Sequence, residues 1–237
     1  MQRGVPAAPV QVRVNDSRSA WHAEDLTMLK RLSAHVGVRC PKVECTEQVR
    51  SLAGELPGRP LHLLVESALG LELAYSLATA APQVASLGLG EADLRSDLGV
   101  SDDEGLTWAR TRIVAAARAA KLPAPMMSVY PNLQDAAGLV ASCRVGRKLG
   151  FLGRAAIHPG QLEAIRGAFL PSEEEVDRAR RVIEQLRNGG DDGVGVGVLE
   201  DGSFVDRAMV QQAETILQIA GTDAGPDPAG GEQEAGR

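Results

Sequence analysis

Residues 61–99, LHLLVESALGLELAYSLATAAPQVASLGLGEADLRSDLG, decide the fold of this chain. The stretch opens with an apolar run of strand length, residues 61–65, and Glu66 follows it directly. A second apolar run, residues 84–89, leads into a glycine and two acidic residues. The segment between the runs, residues 71–81, is rich in Ala and Leu with apolar residues at helical spacing. The stretch therefore predicts a strand, a helix and a strand, and hence a parallel strand pair.

Each strand of this pair is followed by a carboxylate, Glu66 after the first and Asp93 after the second. Parallel strands point their carboxyl ends the same way, so both side chains should face one pocket. Two carboxylates without a nearby His or Cys suit a hard cation. Mg²⁺ takes few carboxylate ligands and completes its octahedron with water and substrate oxygens. Glu66 and Asp93 are therefore the predicted Mg²⁺ ligands.

Strands and helices alternate along most of the chain, which predicts an α/β fold. The regular spacing favours either a (β/α) barrel or a doubly wound sheet. A closed barrel needs eight strands, and two are missing from this pattern. The six strand candidates are residues 10–14, 36–43, 61–65, 84–89, 125–130 and 154–157.

The chain divides into four predicted regions. Residues 1–9 are a loose lead-in, and residues 10–170 hold the alternating strands and helices. Residues 171–220 form a helical extension that begins with a charged helix and a Ser-Glu-Glu-Glu start typical of a capping box. Residues 189–202 are a Gly/Asp/Val loop or hairpin within it. Residues 221–237 are rich in Gly, Pro, Asp and Glu, which predicts disorder.

Composition excludes several classes of protein. Hydrophobic residues make up 44% and aromatic residues 3% of the chain, which favours Ala/Val/Leu-rich helices and parallel strands over an aromatic-rich sandwich. The net charge is −6 and no basic run is interleaved with aromatics, so we expect no nucleic-acid partner. Three cysteines without a Cys-x-x-Cys pair indicate neither a disulfide framework nor a thiolate zinc site. With no signal segment and no membrane-spanning stretch, we expect a cytoplasmic protein and no membrane partner.

Other charged residues also fall at predicted strand ends. Arg13 and Glu44 lie there, as do Glu66 and Asp93, and this end of the strands is the active-site face of a parallel barrel. Arg13 would hold a substrate carboxylate through two parallel hydrogen bonds. The alternative is that Arg13 is a snorkelling strand-end residue, and that each of these charges is a solvated loop charge.

Two further features follow strands. In GLGEADL, residues 88–94, glycines would let main-chain N–H groups near Gly90 and Glu91 approach an anionic substrate. His158 follows the sixth strand, at the same end as the other candidates. The remaining histidines lie in separate elements and are interpreted as structural.

Seven motifs together resemble the citrate lyase β-subunit-like group of the HpcH/HpaI aldolase superfamily, which includes citramalyl-CoA and malyl-CoA lyases. The similarity runs in the family's order from about residue 10 to residue 217. The motifs are VRVN (12–15), PKVE (41–44), VESALG (65–70), GEADL (90–94), WARTRIVAAARAAKLPAP (108–125), GFLGRAAIHPGQ (150–161) and FLPSEEEV (169–176).

The resemblance implies a Mg²⁺-dependent TIM-barrel enzyme that makes or breaks a carbon–carbon bond next to a thioester. Glu66 and Asp93 match the family's metal ligands, and Arg13 matches an arginine that grips the carboxylate of the oxo or hydroxy acid. In the cleavage direction a base removes the hydroxyl proton and the acyl-CoA enolate leaves. The implied partners are a 2-oxo or hydroxy acid and a CoA thioester, with His158 as the candidate for a contact to the coenzyme.

The segment GSFVDRAMV, residues 202–210, resembles the family's C-terminal lid motif. Its aspartate, here Asp206, would act as an acid/base over the site of a neighbouring subunit, which implies a homo-oligomer, a trimer or a hexamer. The alternative is that Asp206 is the N-cap of the last helix.

The chain departs from the family's pattern in three places. Leu69 stands where the family has Arg or another residue, and Asn132 stands where an aspartate is common. The chain also starts where the family's third strand should be, so we expect a barrel that lacks its first two βα units, from a shortened reading of a longer gene or a degenerate copy.

Other functions stay open beside the CoA-ester lyase. The same metal site could support a malate-synthase or thioesterase reaction. The chain could also act as a citrate-lyase-type subunit on a carrier-bound acyl group, or be a non-catalytic remnant.

Overall fold

The computed structural model describes residues 9–188, 196–198 and 202–223. The predicted lead-in, the 189–202 loop and the C-terminal tail therefore lie mostly outside the described residues. The strands are β1 Gln11–Arg13, β2 Gly37–Cys40, β3 Leu61–Val65, β4 Val84–Leu89, β5 Met126–Met127, β6 Gly153–Arg154, β7 Val196–Val198 and β8 Phe204–Asp206. The α-helices are α1 His22–Leu29, α2 Thr46–Glu55, α3 Ala68–Glu72, α4 Ala74–Ala78, α5 Glu91–Leu98, α6 Thr107–Ala119, α7 Ala136–Lys148, α8 Leu162–Phe169, α9 Glu173–Asn188 and α10 Arg207–Asp223.

The first four strands form one parallel sheet in the order β1-β2-β3-β4. The apolar runs of β3 and β4 are largely buried, and on β3 the side chains of Leu61, Leu63 and Val65 have almost no solvent exposure. These residues alternate along β3, so they share the face that packs against helix α4, while His62 and Leu64 lie on the other face of the sheet. The strand–helix–strand unit predicted from residues 61–99 is confirmed.

The strands β5 and β6 form a separate parallel pair, and the described residues close no barrel. Each of the six predicted strands overlaps a strand of the structure. The last two are much shorter than predicted, with two residues each. Residues 128–132, after β5, include Pro131, which lacks the N–H that a ladder needs.

The helix predicted over residues 71–81 is two short helices. Its start is earlier than predicted because the Ser67 hydroxyl accepts a hydrogen bond from the Gly70 N–H (3.2 Å) and caps α3. The break falls at Leu73, whose ψ of 4° is not helical. This cap fixes the chain direction one residue after Glu66.

The chain separates into two compact units, Met1–Phe169 and Leu170–Arg237. In the second unit α9 and α10 pack on a small apolar cluster that includes Val182 and Val205. The capping box predicted at the start of α9 is present, since the Ser172 and Glu175 side chains each bond the other's main-chain N–H. Among the described helices, none is both long and apolar enough to cross a membrane.

Candidate functional site

A cavity of about 240 Å³ opens at the carboxyl ends of β2, β3 and β4. The parallel pairing of β3 with β4 brings Glu66 and Asp93 to this one cavity, as their positions after the two strands predict. The lining is almost entirely polar. Its residues are Arg18, Lys42, Glu44, Glu66, Ser67, Asp93, Ser96 and Asp97.

Gly90 fixes how Glu66 enters this cavity. Its N–H donates a hydrogen bond to the Val65 carbonyl (2.9 Å), which extends the ladder between β3 and β4. A Cβ at position 90 would lie 2.4 Å from Oε1 of Glu66, so only glycine fits between the strand end and the carboxylate. Because its N–H is already bonded, Gly90 serves the site by leaving room for Glu66, rather than by the anion contact we expected.

The Glu66 carboxyl is buried beside a second negative charge. Burial raises the pKa of Glu66, and the charge of Asp93 raises it further. A cation between the two carboxylates would remove both the repulsion and part of the desolvation cost. The electrostatics of the pair therefore favour binding of a positive ion.

Lys42 supplies a positive charge to the same pair. Its Nζ lies 3.0 Å from Oδ1 of Asp93, and this hydrogen bond raises the pKa of the Lys42 ammonium. Lys42 has a φ of +50°, in the left-handed region that non-glycine residues rarely adopt. Sequence reasoning placed Lys42 at a strand end without giving it a role, because its partner lies 51 residues away in the chain.

The helix α5 holds Asp93 and is anchored at both ends. At its start the buried Glu91 carboxylate accepts two hydrogen bonds from the Arg110 guanidinium, one from Nε (2.8 Å) and one from Nη2 (2.7 Å). Near its end Asp97 accepts a hydrogen bond from the Ala68 N–H (2.7 Å) at the start of α3. The Glu91 side chain is thus engaged by Arg110, which leaves its main-chain N–H for the predicted substrate contact.

Arg13 ends β1 on the same side of the sheet as Glu66. Its positive charge acts to lower the pKa of Glu66, against the larger effects of burial and of Asp93. Among the described residues, Arg13 has no carboxylate within ion-pair distance. The geometry is compatible with an arginine that awaits an anionic ligand.

The other predicted residues lie elsewhere. His158 is exposed, and its Nδ1 accepts a hydrogen bond from the Gly160 N–H (3.0 Å) at a 3₁₀ turn, Pro159–Gln161. Asn132 lines a second cavity of about 320 Å³, behind α5. Leu69 is exposed on α3. Asp206 ends β8, directly before α10, and belongs to the second unit.

The donor set at Glu66 and Asp93 fits magnesium. Both ligands are hard oxygen donors, and the described residues contain no group of three or more His, Cys, Asp or Glu arranged to hold a metal. An ion bound here would therefore keep several positions for water and substrate oxygens, which is the coordination Mg²⁺ prefers.

Comparison with known proteins identifies what this chain is similar to. The family model HpcH/HpaI aldolase/citrate lyase matches residues 3–159. The citrate lyase subunit beta of Escherichia coli K12 is 33% identical over 224 residues, covering 88% of this chain and 73% of the relative. The (3S)-malyl-CoA thioesterase of Cereibacter sphaeroides ATCC 17025 is 33% identical over 212 residues, with the same coverage of 88% and 73%. The crystal structure of CitE from Mycobacterium tuberculosis with magnesium, acetoacetate and coenzyme A superposes with a TM-score of 0.77 at 32% identity, covering 89% of this chain and 78% of that one.

The raised pKa of Glu66 predicts a pH-dependent effect of Glu66→Gln. The folded protein binds the Glu66 proton more tightly than the unfolded chain does. The free energy of unfolding of wild type therefore falls relative to that of the variant as the pH rises from the ordinary Glu pKa through the raised pKa. In EDTA, urea unfolding should show the variant to be the more stable protein at pH 7.5 and equal to wild type at pH 4. Glu24→Gln on α1 controls for loss of one negative charge. If the free energy of unfolding of wild type rose relative to that of the variant with increasing pH, this electrostatic account would be wrong.

The buried ion pair of Glu91 and Arg110 predicts a large coupling energy in a double-mutant cycle on stability. Arg110→Met should lower the free energy of unfolding by about 3–5 kcal/mol, because it leaves the Glu91 carboxylate buried and unpaired. The double variant Glu91→Met/Arg110→Met should recover most of this loss in urea titrations. Arg112→Met on the same helix, where the guanidinium is exposed, should cost less than about 1 kcal/mol. Equal losses in the Arg110 and Arg112 variants would show that the pair does not anchor α5.

Proposed function

The chain belongs to the HpcH/HpaI aldolase/citrate lyase family, and from this premise we propose that it is a magnesium-dependent carbon–carbon lyase. Its proposed substrate is a 3-hydroxyacyl-CoA such as citramalyl-CoA or malyl-CoA, cleaved to acetyl-CoA and a 2-oxo acid, or formed from them. The observation that carries the proposal is the meeting of Glu66 and Asp93 in one cavity at the ends of parallel strands. The similarity to CitE from Mycobacterium tuberculosis, whose crystal structure contains magnesium, acetoacetate and coenzyme A, supports the proposal.

Glu66 and Asp93 are the proposed ligands of the metal. When bound, Mg²⁺ supplies electrostatic stabilisation to the negative charge that develops on the acid's oxygens. The two carboxylates would hold the ion, and Gly90 leaves the space that the Glu66 side chain occupies. The α5 anchor at Arg110 holds Asp93.

Arg13 is the proposed grip on the substrate carboxylate. Its planar guanidinium would donate two parallel hydrogen bonds to a carboxylate and hold the acid in one orientation. In cleavage, a base takes the proton of the hydroxyl group and the carbon–carbon bond breaks. The electron pair of the broken bond stays with the thioester fragment, which leaves as an enolate. Addition of one proton to this enolate gives acetyl-CoA. The hydroxyl carbon becomes the carbonyl of the 2-oxo acid.

Asp206 is the proposed acid/base, contributed by a neighbouring subunit of a homo-oligomer. The proposal rests on the position of Asp206 in the motif GSFVDRAMV. It implies that residues 171–220 act as a lid. In the same scheme residues 10–170 are the barrel-type catalytic domain, and His158 contacts the coenzyme.

Thioester hydrolysis is a second candidate on the same site. The observation that favours it is the 33% identity to the (3S)-malyl-CoA thioesterase of Cereibacter sphaeroides. Hydrolysis of malyl-CoA would consume water and release malate and CoA. Cleavage would release glyoxylate and acetyl-CoA. The products therefore separate the two reactions without ambiguity.

The lyase proposal predicts a metal-dependent product pattern. With citramalyl-CoA or malyl-CoA and Mg²⁺, chromatography should show acetyl-CoA and an oxo acid in equal amounts, and EDTA should abolish both. Asp93→Asn should lower kcat/KM by about 100-fold or more, because it removes charge that stabilises the transition state.

The matched control for Asp93→Asn is Glu47→Gln, an exposed carboxylate on α2, which should keep wild-type kcat/KM. If the products of malyl-CoA were malate and free CoA, and no acetyl-CoA was formed, the activity would be that of a thioesterase and the lyase proposal would be wrong. Turnover that is indifferent to EDTA and to Asp93→Asn would contradict both reactions at this site.

A further inference from the structure

The second cavity, of about 320 Å³, shares only the helix α5 with the cavity that holds the two proposed metal ligands. The helix gives different residues to each cavity, Asp93, Ser96 and Asp97 to the first and Glu91, Ala92 and Arg95 to the second. Most of the remaining lining of the second cavity comes from residues 128–132 after β5 and from Arg154, which ends β6. The second cavity therefore contains neither Glu66 nor Asp93.

Arg154 is one of three arginines that are buried among the described residues. The other two have strong acceptors. Arg59 donates hydrogen bonds to four main-chain carbonyls, and Arg110 bonds the carboxylates of Glu91 and Asp103. Arg154 is only 5% exposed, yet in the part of the chain that the structure describes no carboxylate lies within ion-pair distance of it.

The hydrogen-bond partners of Arg154 are neutral and incomplete. Its Nη1 donates to the Ser128 carbonyl (2.9 Å), and its Nη2 donates to the Ser142 hydroxyl (2.7 Å) and to the weak acceptor Sδ of Met127 (3.2 Å). Its Nε is buried without a partner. The guanidinium carbon lies 5.7 Å from the centre of the Tyr130 ring, a cation–π contact that brings no negative charge.

Ionisable groups near Arg154 do not supply the missing negative charge. Burial raises the pKa of the Cys143 thiol, against the opposing effect of Arg154, so this neighbour stays neutral. The Asp135 carboxylate accepts hydrogen bonds from the Tyr130 hydroxyl (2.6 Å) and the Gly138 N–H (2.8 Å). Three arginines and two carboxylates line the cavity, which leaves a surplus of one positive charge.

We propose that the second cavity is a ligand site that binds a small organic monocarboxylate through Arg154. A surplus of one positive charge matches a monoanion. The apolar part of the lining consists of Ala92, Val129, Pro131 and the Tyr130 ring. This lining suits a ligand with a short hydrocarbon body better than it suits inorganic phosphate. The site goes beyond the proposed function and does not depend on it.

The physical reason is the cost of a buried charge without a counter-ion. An ionised group withdrawn from water is costly unless it is both paired and hydrogen-bonded. A carboxylate in the cavity would supply the pairing, and a charge-assisted hydrogen bond strengthens binding about tenfold or more. Asn132 also lines the cavity, and its Oδ1 accepts the Gln134 N–H (3.0 Å), which leaves its amide N–H groups for the same ligand.

The test compares butyrate with butyramide, a molecule of similar size that carries no charge. Both are titrated into the isotope-labelled full chain in EDTA, and the NMR shifts of main-chain amides report affinity and position. Wild type should bind butyrate at least about tenfold more tightly than butyramide, with shifts centred on residues 128–132 and Arg154. Arg154→Met should abolish this margin.

A second variant tests the site without changing a buried residue. Asn132→Asp introduces a carboxylate into the lining at an exposed position. It should weaken butyrate binding about tenfold or more, because it neutralises Arg154 and repels the ligand. The matched control is Gln134→Glu, an exposed position outside the lining, which should leave the affinity unchanged. Unfolding midpoints without ligand check that Arg154→Met is folded.

Four results would overturn this inference. They are equal binding of butyrate and butyramide by wild type, binding of neither, shifts confined to other residues, and a margin that survives in Asn132→Asp. Inorganic phosphate that binds at these residues as tightly as butyrate would overturn the assignment to a carboxylate. Because every titration is done in EDTA, failure here is distinct from failure of the proposed magnesium-dependent function.

Discussion

The contact between Gly90 and the side chain of Glu66 is the constraint on which the site depends. It exists because β3 and β4 pair in parallel with Val65 opposite Leu89, so that the next residues of both strands meet. A side chain at position 90 would occupy the space of the Glu66 carboxylate. With glycine there, Glu66 stays buried at the strand end, and the helix that begins at Glu91 carries Asp93 to the same cavity.

This arrangement brings two negative charges together, and basic side chains lie around them. Two carboxylates at one strand edge repel each other and are partly withdrawn from water. Lys42 faces one of them directly, and Arg13 and Arg39 lie on the sheet face that leads to the other. The anchors of α5 at Arg110 and Ala68 hold the carboxylates together in spite of the repulsion. A site of this kind is stabilised by a divalent cation and an anionic ligand bound together.

Sequence reasoning reached the centre of this site because local signals define it. The apolar runs 61–65 and 84–89 match β3 and β4 residue for residue, and the residues that follow each run give the strand-end carboxylates. The signals that failed were those that depend on distant partners. The bond from Arg110 to Glu91 joins residues 19 apart, and Arg39 meets Gln11 from 28 residues away. Periodicity also could not show the break at Leu73 or the two-residue length of β5.

The most direct test of the account is the position of a bound divalent ion. Crystals of the chain grown with Mn²⁺, which replaces Mg²⁺ at oxygen sites and scatters anomalously, would locate it. The account predicts one strong anomalous peak per chain within bonding distance of the carboxylates of Glu66 and Asp93, and its loss in Asp93→Asn. A peak elsewhere, or a peak that persists in Asp93→Asn, would show that these carboxylates do not form the metal site.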